Sequence, residues 1–178
     1  MKAYLKEHKS ERLTFRLLTQ DKQKDWGKFL EDPRSNKFFP PEAQTADYVP
    51  KWFERQFWRY ENGKLGFLGI YISETDEFIG QCGLLIQDLD GTDVLEVGYH
   101  LLPKHWGNGY ASEASQFFKK FAFDHDLTEK LYSMIHVDNI ASQKVALRNG
   151  MTNEAETIVW NLPVYLYTIN KSTYDSTL

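Results

Sequence analysis

The chain has almost no cysteine: Cys82 is the single one in 178 residues. A lone thiol cannot close an internal disulfide, so the fold has to rest on a packed core, and a reducing, cytoplasmic compartment is expected. No apolar run approaches the ~20 residues of a membrane-spanning helix, so no membrane association is expected. Met1-Lys2-Ala3-Tyr4-Leu5-Lys6 lacks the apolar stretch of a signal peptide. Nor is there an excess of positive charge. The 21 Lys and Arg stand against 25 Asp and Glu, a net charge of −4, which excludes nucleic-acid binding by bulk charge. Internal repeats and low-complexity stretches are absent. Apolar material is plentiful: 42% of residues are hydrophobic and 15% aromatic. That excludes disorder, and the length fits a single domain over residues 1–178.

The pattern along the chain is mixed helix and strand. Arg12–Leu18 alternates, with Leu13, Phe15 and Leu17 on one side, and reads as a strand. A helix follows Asp21 to about Leu30, and Asp32-Pro33-Arg34-Ser35-Asn36 breaks it. Phe38-Phe39-Pro40-Pro41 cannot be helical, because each proline pushes its predecessor out of the α region. The next helix is expected to be capped by Asp47, with Pro50 in its first turn and Val49, Trp52, Phe53, Phe57 and Tyr60 as its apolar stripe. Three strands follow, roughly Leu65–Ser73, Phe78–Gln87 and Val94–Leu102. Their links are short enough to make them antiparallel neighbours. A helix over Tyr110–His125, a strand over Lys130–Val137 and a helix over Ile140–Asn149 closed by Gly150 come next. Strands over Asn153–Trp160 and Val164–Asn170 finish the chain. This order implies an α+β (mixed α/β) fold with a mixed, largely antiparallel sheet of about seven strands flanked by about four helices.

One segment carries most of the information: Glu96-Val97-Gly98-Tyr99-His100-Leu101-Leu102-Pro103-Lys104-His105-Trp106-Gly107-Asn108-Gly109-Tyr110-Ala111. A strand leads through a proline to a Gly-x-Gly turn and then to a helix. The glycines permit positive φ and leave no Cβ to block a ligand. The new helix offers unpaired N–H groups and a positive dipole end. Together these make a phosphate cradle that needs no cationic side chain, although a ligand-free strand–helix turn would explain a Gly-x-Gly pair equally well. Gly107, Gly109 and Ser112 also spell G-x-G-x-x-S, with Asp138 as a stand-in for a ribose-binding acid. The antiparallel strands before the loop argue against that dinucleotide reading. A Walker A loop is excluded, because no Gly-Lys-Ser/Thr follows.

With Trp106–Ala114, Asn139-Ile140-Ala141-Ser142 and Asn149-Gly150-Met151 taken together, the chain resembles the GNAT acetyltransferase superfamily, in particular its RimJ/RimL-type N-acetyltransferases. The likeness runs from the first strand to the last. It implies a sheet splayed between the strand ending at His100-Leu101-Leu102 and its parallel neighbour Lys130–Val137, with acetyl-CoA as cosubstrate in the gap and no metal. By the same likeness, Trp106, Gly107, Asn108, Gly109, Tyr110 and Ala111 hold the pyrophosphate. His100, Leu101 and Leu102 line the pantetheine arm, and an N–H near Leu101 faces the thioester carbonyl. Trp106 stands where the superfamily places Arg or Gln, as is usual in this branch.

The resemblance also assigns candidate roles. Asn139 would contact the cofactor and Ser142 would protonate the leaving thiolate, while both residues also suit a plain helix N-cap. Glu96 is the candidate base or amine ligand, or else a sheet-face carboxylate in an ion pair. His100, four residues on and on the same face if the strand is regular, is expected to contribute backbone. Glu113 suits the helix dipole, Glu154 is a weaker acceptor-side candidate, and Cys82 is read as core. Phe38 and Phe39 would wall the acceptor pocket, with Trp52, Phe53 and Phe57 as packing. The partner would be a primary amine, either small or a protein N-terminus, and a homodimer is admissible. Relatives that act on ribosomal proteins have a longer link between the last two strands, followed by Asp-Val. Here Pro163 stands in place of that Asp, so acceptor identity does not carry over. The rival readings are a non-catalytic acyl-CoA sensor of the same fold and a nucleotide-dependent oxidoreductase.

Overall fold

Alternation along the strands decides which side of the sheet each helix covers. The structure is a computed structural model and describes residues 3–175. Its strands are β1 (His8–Lys9), β2 (Leu13–Arg16), β3 (Phe67–Ile72), β4 (Phe78–Leu89), β5 (Thr92–Leu101), β6 (Lys130–His136), β7 (Thr152–Val159) and β8 (Leu162–Asn170). The helices are α1 (Gln23–Glu31), α2 (Pro33–Asn36), α3 (Val49–Glu61), α4 (Tyr110–Asp124), α5 (Ile140–Arg148) and α6 (Lys171–Asp175). The strands form one open sheet in the order β1-β2-β3-β4-β5-β6-β8-β7. Among the described residues only β5 and β6 pair in parallel, and α4 makes the crossover between them.

The sheet has eight strands where about seven were expected. The addition is β1, whose two residues give no periodicity to read. Helices α2 and α6 are likewise too short for a 3.6-residue pattern. Asp47 is not the cap of α3. It lies in a 3₁₀ turn, and the helix starts after Tyr48 with no side-chain cap bond. Asp32 does cap, accepting from the Arg34 amide at 2.9 Å. Pro163 is not in a link but inside β8, opposite Ile158. The turn proper is Trp160-Asn161, both at positive φ, as a two-residue hairpin requires.

Two cores result. On one face, Ala114, Phe118, Phe121 and Ala122 of α4 pack on Leu13, Phe15, Ile70, Leu84, Val97 and Leu131. On the other, Trp26, Phe29 and Leu30 of α1 and Val49 and Phe53 of α3 pack on Phe67, Tyr71, Phe78 and Leu85. Each large side chain fully buried here contributes roughly 1.5–3 kcal/mol. The cores hold the sheet rigid on both sides of its one discontinuity.

That discontinuity lies between β5 and β6. The two strands pair only at Leu95–Leu131 and Glu96–Tyr132. Beyond those residues, β5 stays on β4 as far as Leu101, and β6 stays on β8 as far as His136. The strands diverge, leaving a V-shaped gap with backbone groups on both edges.

Candidate functional site

The gap opens into a cleft of about 1090 Å³. Its upper rim is the glycine loop. Gly107 and Gly109 have φ +82° and +81°, a region that costs other L-residues roughly 1–2 kcal/mol. Gly109 precedes α4 directly, and the first intrahelical bond is Glu113 N–H to Gly109 C=O. The N–H groups of Tyr110, Ala111 and Ser112 therefore have no partner within the helix.

Arg12 and Glu113 brace this loop from outside. The Glu113 carboxylate accepts from Ser10 Oγ, the Arg12 amide and Arg12 Nε, each at 2.7 Å. These bonds and the Arg12 charge hold its pKa below the usual carboxylate range against the opposing effect of burial. Arg12 Nη1 donates to Asn108 C=O at 3.0 Å. Asn108 itself donates to the carbonyls of His105 and Trp106 and does not line the cleft. It shapes the loop. Trp106 lines the cleft and ties the loop to β5 through Nε1 to Leu101 C=O, 2.7 Å.

The ladder of β5 shows which of its groups face the gap. The Leu102 amide bonds to Ile79 C=O at 2.9 Å, so Gly80 and Leu101 are a non-hydrogen-bonded pair. Alternation then turns the backbone groups of Val97, Tyr99 and Leu101 away from β4, toward the gap. His100 is paired onto β4 instead, and a Cβ on Gly80 would lie 2.2 Å from its carbonyl oxygen. The expectation that His100 offers backbone to the cleft is therefore corrected: it offers its imidazole. Leu102 is not brought to the site. Its amide is taken by Ile79, its carbonyl by the His105 amide, and its side chain packs in the α1–α3 core.

No register shift interrupts β5 between Glu96 and His100, so the two share a face. Glu96 is buried at the point of the V, accepting from Gln87 Nε2 (2.8 Å) and from the Met134 amide (3.1 Å). Burial raises its pKa, and these two bonds oppose the shift. Its partners among the described residues are these two neutral donors, not a cation. The His100 ring stands among Trp26, Phe29, Phe39, Trp52 and Phe67, with centroids 5.1–5.8 Å away. Burial lowers its pKa to about 3.

Across the gap, Asn139 caps α5 by accepting from the Ser142 amide at 3.2 Å. The cap uses Oδ1 and leaves the Nδ2 donor. Both residues line the cleft, so the capping and ligand roles are compatible. The Tyr99 hydroxyl donates to Ser142 C=O at 3.1 Å, joining β5 to α5 across the floor. Phe38 and Phe39 close the acceptor side. Phe38 meets His136 at the end of β6 and Phe39 meets His100 on β5, so this pair bridges the V. Trp52, expected only to pack, also lines the cleft. Glu154 does not reach it and is paired with Lys130. Cys82 is fully buried, with its thiol pKa pushed up by burial.

Sequence reasoning missed the charge of this cleft. Its lining holds Arg34, Lys37, Arg55, Arg59, Lys144 and Arg148 against Glu42, Glu96 and Asp138. A basic cavity thus sits in an acidic chain. No periodicity marks it, since the six cations come from α2, the segment after it, α3 and α5. Arg12 was equally unmarked, being about a hundred residues from its partners.

Comparison with known proteins fits this geometry. Residues 12–152 match the family described as Acetyltransferase (GNAT) domain. The chain is 35% identical over 113 residues to the uncharacterized protein YkkB of Bacillus subtilis, covering 62% of this chain and 66% of that one. It is 26% identical to the uncharacterized N-acetyltransferase p20 of Bacillus licheniformis, covering 93% and 96%. Among solved structures, the acetyltransferase from Agrobacterium tumefaciens superposes with TM-score 0.78 at 27% identity, covering 93% and 94%. RimL, a ribosomal L7/L12 alpha-N-protein acetyltransferase in complex with coenzyme A, shares the fold with TM-score 0.71 at 17% identity, covering 90% and 95%. The chain belongs to the GNAT acetyltransferase family.

Proposed function

We propose that the chain is an acetyl-CoA-dependent N-acetyltransferase that acts on a primary amine in a ternary complex. The splayed β5–β6 pair carries this reading: free backbone edges lie beside a glycine-turned helix N-terminus. The residues fit the cosubstrate. A Cβ on Gly107 would meet no atom within 4 Å, so the space beside the loop is open. The first-turn N–H groups of α4 and the basic lining suit a polyphosphate.

When bound, acetyl-CoA supplies an activated thioester. The Leu101 N–H, turned into the gap, is the donor for the carbonyl oxygen as charge builds there. Asn139 Nδ2 and the strand edges of Val97 and Tyr99 hold the arm. The amine nitrogen bonds the carbonyl carbon, the carbon–sulfur bond breaks, and Ser142 passes a proton to the leaving thiolate and regains one from solvent. Glu96 takes the proton of the acceptor amine. A lysine-like amine has a pKa near ~10.4, and a carboxylate raised by burial is better matched to that task than an exposed one. Phe38, Phe39 and Trp52 wall the acceptor, a protein N-terminal amine or a small amine. The chain works as one domain in a reducing, cytoplasmic setting, a reading supported by its buried free thiol.

A thermal-shift series with acetyl-CoA, CoA and NAD tests the binding half. A ligand at ~100 times its Kd adds about 2.7 kcal/mol, so both CoA species should raise Tm clearly and NAD should not. Thiol release across a panel of amines and peptides tests the chemical half. No stabilisation by either CoA species would end this reading. Binding without release for any acceptor would identify a sensor.

A further inference from the structure

We propose that His100 is a tautomer-locked hydrogen-bond donor whose Nε2–H selects acceptor amines bearing an uncharged oxygen near the amine. The proposal rests on the acetyltransferase reading above and deepens its acceptor side.

The assignment starts at Trp52. An indole nitrogen can only donate, and Trp52 Nε1 lies 3.2 Å from Gln81 Oε1. The Gln81 oxygen is thereby fixed on Trp52, and its amide nitrogen is turned to His100 Nδ1, 3.2 Å away. An amide NH₂ only donates, so Nδ1 must accept. A neutral imidazole that accepts at Nδ1 carries its proton at Nε2.

The surroundings keep the ring neutral. The residues against it are Trp26 and Phe29 of α1, Phe39 of the bridging loop, Trp52 of α3, Phe67 of β3 and Gln81 of β4. None of them is titratable, and among the described residues no charged group contributes to the shift of the ring. Burial accordingly drives its pKa to about 3. Protonation would also place Nδ1–H against the Gln81 amide. His100 is therefore not a base for the reaction.

Nε2 has no partner among the described residues, yet it is not one of their sealed-in polar atoms, and His100 lines the cleft. A donor in an aromatic wall has a defined preference. It bonds a carbonyl, amide or hydroxyl oxygen, and it gains nothing from a bare alkylammonium, which has no acceptor atom. This donor is uncharged and is placed for a neutral oxygen, the cations of the lining being the partners an anionic oxygen would take. Gln81 is 1% exposed and acts through His100, as a positioning residue.

Two measurements test this. In wild-type protein, long-range ¹H–¹⁵N spectra should show His100 with a protonated Nε2 and an unprotonated Nδ1, unchanged from about pH 5 to 8, where free histidine titrates. In the amine assay, His100→Phe should lower kcat/KM roughly three- to tenfold for an α-amino amide, the scale of one neutral hydrogen bond. It should lower kcat/KM less for the matched alkylamine without the carbonyl, and leave acetyl-CoA affinity unchanged. His100→Gln, which keeps a donor, should recover part of the loss. An Nδ1–H tautomer, titration in that window, an equal loss for both amines, or weakened acetyl-CoA binding would overturn the proposal. Failure of acetyl-CoA to bind wild type would instead count against the acetyltransferase reading, and the tautomer measurement is independent of turnover.

Discussion

The Glu96 carboxylate accepts the Met134 amide at 3.1 Å, at the point where β6 leaves β5. One side chain thus satisfies a backbone donor released by the splay and stands in the cleft as a buried acid. Burial lifts its pKa, so it takes up a proton at higher pH than an exposed glutamate. Activity that needs its ionised form is full above the raised pKa and is lost as pH falls through it. The acid limb of kcat/KM should therefore lie above the ordinary carboxylate range. Glu96→Gln should remove that limb and lower kcat by roughly 10²–10⁴-fold, the usual worth of a general base. A variant with an unchanged pH profile would leave Glu96 only its hold on Met134.

The phosphate loop should answer to its glycines. Gly107→Ala places a Cβ at φ +82°, which costs roughly 1–2 kcal/mol. No atom obstructs the new methyl, so the fold should survive. Titration calorimetry should show acetyl-CoA affinity reduced by about tenfold or more, the equivalent of ~1.4 kcal/mol.

Arg12 should act on the loop from outside. Its side chain is 46% exposed, so Arg12→Ala should cost less than about 1 kcal/mol of stability. Asn108 would lose its external tie. The expected signature is a higher KM for acetyl-CoA with kcat at saturation unchanged, and Glu113→Gln should move the same parameter.

Cys82 should be a bystander. Its thiol is fully buried and its pKa is raised by burial, so little nucleophilic thiolate exists at neutral pH. Native protein should resist alkylation, and Cys82→Ala should retain kcat. An acetylated Cys82 found by mass spectrometry would contradict direct transfer.

Much of this was legible in the sequence because the signals are local. The Gly107–Gly109 turn, the Asn139 cap and the short β3-β4-β5 links each follow from a few adjacent residues. What was not legible depends on contacts between distant ones. Which face of β5 meets the gap follows from its register on β4, so Leu102 was placed in a cleft that its amide and side chain both avoid. The Trp52–Gln81–His100 chain joins α3, β4 and β5, and the Arg12–Glu113 clamp joins residues 101 apart. Neither leaves a motif.

The most direct measurement is a stoichiometric one. Purified protein, acetyl-CoA and an amine panel that includes α-amino amides should yield free CoA thiol and N-acetylated amine in equal amounts, with the protein itself unmodified. Acetyl-CoA that stays intact with every amine, or thiol released without an acetylated acceptor, would contradict acetyl transfer across the β5–β6 cleft.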